Sequence, residues 1–126
     1  MSHLPRNASD ADLLAFIDDW AALLESENYT AAYEYTDHAP EQGWTPELLR
    51  DVVKAYGDAE PNQRVTLLGV PSDVAQRKIV DRWARNPHEI WYDLNINGLA
   101  SDLTATFHIR QVPEGLQILL NDVHVM

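Results

Sequence analysis

The chain has 126 residues, enough to bury one hydrophobic core without support from disulfides or a structural metal. It has no cysteine, which excludes a disulfide framework, a thiolate zinc site and a cysteine nucleophile. Its net charge of -11 is lopsided: residues 1–60 hold 13 acidic residues against three basic ones, and residues 61–126 hold seven against six.

A phosphate backbone would be repelled by the first half, so no nucleic-acid partner is expected. The opening MSHLPRNASDAD has neither a basic nor an apolar signal region, and no apolar run reaches membrane-span length. The expectation is a cytoplasmic protein without membrane contact. The acidity has two readings, a solvated helical surface or a face that docks on a basic partner.

In chain order the pattern predicts one domain over 1–126, helical over about 9–57 and sheet over about 64–126. Ser9-Asp10-Ala11-Asp12 resembles a capping box, and Leu13, Leu14, Ile17, Trp20, Ala21 and Leu24 follow at helical spacing. A short helix is expected at Tyr29–Tyr35. A third has Thr45 as cap, Pro46 at its first position, the stripe Leu48, Leu49, Val52, Val53 and Tyr56, and Gly57 as stop.

Strand period takes over near Pro61. Arg64–Val70 reads as a strand. Residues 74–84 read as a strand too, although Ser72-Asp73 would suit a helix cap equally well. Ile90, Tyr92, Leu94 and Ile96 alternate with polar residues, as do Leu103, Ala105, Phe107 and Ile109. Asn97-Gly98 between these runs is a strong hairpin signal. A two-residue loop there would pair Ile96 with Leu99, Tyr92 with Leu103 and Ile90 with Ala105, which puts both apolar sets on one face. The same register sets Asp93 against Asp102 on the outer face, a like-charge pair that calls for water or Arg82 or Arg85 to compensate it.

Val112-Pro113-Glu114-Gly115 makes the next turn, pairing Gln111 with Leu116, Ile109 with Ile118 and Phe107 with Leu120. Unbroken alternation would then carry Asp122 and His124 to the core side, about 7 Å apart at the Cα level. A bulge at Asn121-Asp122 would instead send Val123 and Val125 inward and both polar groups out.

Helices followed by long antiparallel meander strands resemble the nuclear transport factor two-like fold, whose members include ketosteroid isomerase and scytalone dehydratase. The resemblance implies an α+β architecture with N-terminal helices packed in the concave face of a curved antiparallel sheet around a conical pocket. The tail YDLNINGLASDLTATFHI…LLNDVHVM also resembles an uncharacterised bacterial family with SDLT and Asp-x-His-Val strand motifs, which implies no activity. The wider fold hosts isomerases, dehydratases, non-catalytic subunits and immunity proteins, so it does not determine function.

Asp122 and His124 are the candidate catalytic pair, a carboxylate orienting an imidazole as general base, with Tyr92 as hydrogen-bond donor. Small Ala105 opposite Asp122 would leave room for the pair. Trp44, Tyr33 and Tyr56 join these three as candidate ligand contacts, although aromatics at such spacings are usually core. Trp91, Thr104, Thr106, His108 and Arg110 mark the outer face as a homodimer surface. His38 and His88 have no metal-ligand spacing, there is no phosphate loop, and neither cofactor nor metal is expected. The favoured reading is a binding protein that uses its pocket or acidic helical face for a small molecule or a basic protein partner. The alternative is a small cofactor-independent isomerase, dehydratase or hydrolase.

Overall fold

The computed structural model describes residues 4–38, 42–57, 62–67, 78–82 and 88–125. Helix α1 spans Asp10–Glu25, α2 Tyr29–Tyr35 and α3 Pro46–Ala55. Each begins where its side chains satisfy orphan N–H groups. Ser9 and Asp12 form a reciprocal capping box, Asn28 accepts from Ala31, and Thr45 accepts from Leu48 just before Pro46. The α1 stripe is buried as expected at Leu13, Ile17, Trp20, Ala21 and Leu24. On α3 only Leu49 and Val53 are buried, and Leu48 faces solvent.

The strands are β1 Asp37–His38, β2 Val65–Thr66, β3 Lys78–Asp81, β4 His88–Ile96, β5 Leu99–Val112 and β6 Gly115–Val125. They form one sheet in the order β1-β6-β5-β4-β2, with β3 also paired to β4. The architecture is therefore α+β. All pairings are antiparallel except β1 with β6, which is parallel. That exception corrects the expectation of a purely antiparallel sheet confined to the second half, because β1 is recruited from between two helices. Within 74–84 the described residues Lys78–Asp81 are a strand, and Ser72-Asp73 lies outside the described residues.

Two irregularities shape the sheet. The Asn97-Gly98 hairpin starts as expected, with Ile96 opposite Leu99 and Asn95 opposite Ala100. Asp93 then pairs with Thr104 instead of Asp102, so residues 101–103 stand opposite Leu94 alone. Ser101 holds this bulge by donating to Leu94 O (2.6 Å) and accepting from Leu103 N (3.3 Å). The net slip is two residues, an even number, so the expected faces survive although each expected pair beyond it changes: Tyr92 meets Ala105 and Ile90 meets Phe107.

The second irregularity lies in β6. The pairs Gln111–Leu116, Ile109–Ile118 and Phe107–Leu120 are as expected, and then the ladder jumps to Thr106–Asp122. Asn121 is the extra residue. Its side chain accepts from Gln42 (3.2 Å) and donates to Thr106 (3.1 Å), and its carbonyl accepts from the Trp44 indole (3.0 Å). An odd insertion reverses every face beyond it. Val123 turns into the core beside Ala105, while Asp122 and His124 turn outward. This corrects the core-side placement that unbroken alternation predicts for both. Val125, on Val123's face, runs past the end of the core and is 56% exposed.

The helices cover the face carrying Ile90, Tyr92, Leu94, Ala105, Phe107, Ile118 and Leu120. Trp20 meets Phe107 edge to face at 5.0 Å between ring centres, and both are fully buried. Trp20, Phe107, Leu13, Ile17 and Leu120 are among the largest fully buried side chains between helices and sheet.

Candidate functional site

The outer sheet face carries the proposed pair. Asp122 and His124 flank Val123, and the carboxylate lies 3.0 Å from the imidazole Nδ1. The contact falls outside hydrogen-bond geometry, and the side chains are 53% and 41% exposed. The other Asp122 oxygen accepts from Val123 N (2.9 Å), an N–H freed by the bulge. The pair is thus formed, but on a half-exposed stretch of the outer face.

Tyr92 is on the opposite face of the sheet. Its hydroxyl donates to Asp18 of α1 at 2.5 Å, and Lys78 lies 4.7 Å from the ring centre. Burial, then the Asp18 hydrogen bond and charge, push its ionisation well above the ordinary tyrosine range. Tyr92 is consequently a fixed neutral donor committed to Asp18, separated from Asp122 and His124 by the sheet. The expected three-residue constellation is not assembled.

The remaining candidates disperse. Trp44 is buried and latches the Asn121 bulge. Tyr33 stacks on His38 at 4.0 Å, with His38 Nε2 3.2 Å from the Tyr33 carbonyl oxygen. Tyr56 donates to Asp102 (2.5 Å). Burial first, with Asp102 adding to it, raises its ionisation. This contact replaces the expected Asp93–Asp102 confrontation: Asp102 is turned to Tyr56, and Asp93 accepts instead from the Thr104 hydroxyl at 2.6 Å.

Of the five residues expected at a dimer face, Thr104 and Thr106 are already buried within this chain, whereas Trp91 and His108 are half-buried and Arg110 is exposed. Trp91 donates to Glu89 (2.9 Å), and His108 lies 3.7 Å from the same carboxylate group. Among the described residues no cluster of three His, Asp or Glu side chains suits a metal, and no helix is long and apolar enough to cross a membrane.

Two cavities at the rim bring together residues that sequence reasoning did not join. One, of about 510 Å³, lies beside α1 and is lined by Asp12, Ala15, Phe16, Asp19 and Tyr35, with Leu4 and Pro5 closing it. Phe16 and Tyr35 sit 4.6 Å apart, and the Tyr35 hydroxyl donates to Asp19 (3.4 Å). Burial first, then the Asp19 charge, raises the Tyr35 ionisation, so the ring stays a neutral donor. Asp12, Phe16 and Asp19 follow helical spacing and were legible as one face of α1. The arrival of Tyr35 was not.

The other cavity, of about 280 Å³, is lined by Arg6, Arg82, His88 and Arg110 together with Gln111, Ile109 and Leu116. No local motif signals it, because its basic residues come from four separate segments.

A family model described as a domain of unknown function, DUF7668, matches residues 21–126. No curated protein and no solved structure matches the chain. The match spans α1 from Ala21, both further helices and every strand, so the chain belongs to the DUF7668 family.

Proposed function

We propose that the chain is a binding protein whose α1 groove receives a basic side chain from a protein partner. The observation that carries this reading is the groove itself, in which Asp12 and Asp19 flank the Phe16–Tyr35 ring pair. Carboxylates beside aromatic rings attract a lysine or arginine both as counter-charges and through cation–π contact. Some other carboxylates of the helical half meet internal cations: Asp10 meets Arg82, Asp18 meets Lys78, Glu27 meets Lys54 and Asp51 meets Arg50. Among the described residues, Asp12 and Asp19 meet none. The charge surplus of the first half, to which Asp12 and Asp19 belong, would steer a basic partner towards the helices.

The half-exposed Asp122–His124 pair and the commitment of Tyr92 to Asp18 support binding over catalysis. The three helices on one face of a mostly antiparallel sheet support a nuclear transport factor two-like relationship, with its central space filled by side chains.

Calorimetric titration with a lysine- and arginine-rich peptide tests the reading. Affinity should fall as salt rises, and Asp12→Asn and Asp19→Asn should each weaken it by about fivefold. Asp122→Asn should leave it unchanged. Affinity indifferent to salt, or to both groove substitutions, would remove the proposal.

A further inference from the structure

We infer that the rim cavity lined by Arg6, Arg82, Arg110 and His88 binds a dianionic phosphate group. The cavity is separate from the α1 groove and shares no lining residue with it. The chain has nine lysines and arginines and a net charge of -11, yet three of its arginines surround one void of about 280 Å³. Among the described residues, no carboxylate lines that void. Asp10 balances Arg82, which leaves Arg6 and Arg110 beside the void without a carboxylate among the described residues, and like charges so placed favour an anion between them.

Two of the three guanidinium groups are held in place before any ligand arrives. Arg82 donates to Asp10 (2.6 Å) and to the Ala8 carbonyl (3.0 Å), which ties the strand to the start of α1. Arg6 donates to the Val112 carbonyl (3.0 Å) at the β5–β6 turn. The N-terminal segment is pinned across that turn by two hydrogen bonds between Leu4 and Leu116. Gly115 permits the approach: its φ is +139°, and a β-carbon there would collide with the Leu4 carbonyl oxygen. Arg110 is exposed and meets no carboxylate among the described residues, so its fork remains available.

Guanidinium forks match oxyanions with paired N–H donors. The void, at about 280 Å³, lies at the lower end of ordinary small-molecule pockets of about 300–1,000 Å³. The donors left over on Arg6 and Arg82, the Arg110 fork and the His88 imidazole converge on one void, which fits the clustered oxygens of a phosphate better than two carboxylates held apart by a carbon chain. Ile109 and Leu116 form an apolar floor, which strengthens the charge interaction by excluding water.

Titration of the protein with inorganic phosphate at constant ionic strength, followed by amide NMR shifts, tests the inference. Succinate and chloride serve as controls. Phosphate should give saturable shifts around residues 6, 82, 88 and 110, and the controls should not. Arg110→Gln, whose side chain is exposed, should keep the fold and weaken binding about tenfold. Gly115→Ala should weaken it as well by displacing Arg6, with circular dichroism confirming that the sheet persists. Shifts that do not saturate, succinate equal to phosphate, or undiminished binding by Arg110→Gln would each overturn the assignment.

Discussion

Asp93 is 1% exposed on the sheet face away from the helices, an expensive place for a carboxylate without donors. The Thr104 hydroxyl, also fully buried, supplies one at 2.6 Å. All four residues of the SDLT stretch have structural work of this kind. Ser101 closes the bulge, Asp102 accepts from Tyr56, Leu103 enters the core and Thr104 supports Asp93. Thr104→Val should destabilise the protein by about 2 kcal/mol in urea unfolding, because it leaves a buried acceptor short of a donor. Thr104→Ser, which keeps the hydroxyl, should cost less than about 1 kcal/mol. Equal losses for the two would show that the hydroxyl is not what matters. The motif was visible in the sequence as a likeness. Its physical role depends on a register slip that no single strand reveals.

At the scale of elements, β6 decides where the candidate chemistry lies. Its first half follows the register set by the Pro113-Glu114 turn, and its second half follows the Asn121 bulge. Both halves show two-residue alternation, so their local patterns look alike. What differs is the latch from Gln42, Trp44 and Thr106, and two of those residues belong to the segment between α2 and α3. Val123→Asp should therefore cost about 3 kcal/mol or more by burying a charge, whereas His124→Ala should shift stability by no more than about 0.5 kcal/mol. Thermal or urea unfolding of the two variants distinguishes this register from unbroken alternation, which would make His124 the sensitive position.

Across the whole molecule, four tyrosines, at positions 29, 35, 56 and 92, have ionisation raised above the ordinary value of 10.0, in each case chiefly by burial. In the unfolded chain these phenols lose protons near pH 10, while in the folded protein they keep them to higher pH. Their contribution is fully present below about pH 10 and is lost as pH rises through the folded values. Stability should therefore fall through the alkaline range, and Tyr92→Phe should make that fall less steep. Unfolding midpoints measured against pH, with tyrosinate absorbance as a second signal, check the sign. A Tyr92→Phe profile parallel to the parent's would contradict it.

Helix positions, the caps of α1 and α3 and both hairpin turns were legible in the amino-acid order, because each depends on contacts within a few residues: Ser9 with Asp12, Thr45 with Pro46, Asn97 with Gly98. The acidic surplus of the first half was equally plain, since charge needs no fold to be counted. Tertiary structure alone decided that Asp122 and His124 face outward, that β1 joins β6 in parallel, and that Arg6, Arg82, His88 and Arg110 meet around one void. The physical reason is range. A bulge is held by groups up to 79 positions away in the chain, and a cavity is lined by segments that packing, not sequence neighbourhood, brings together.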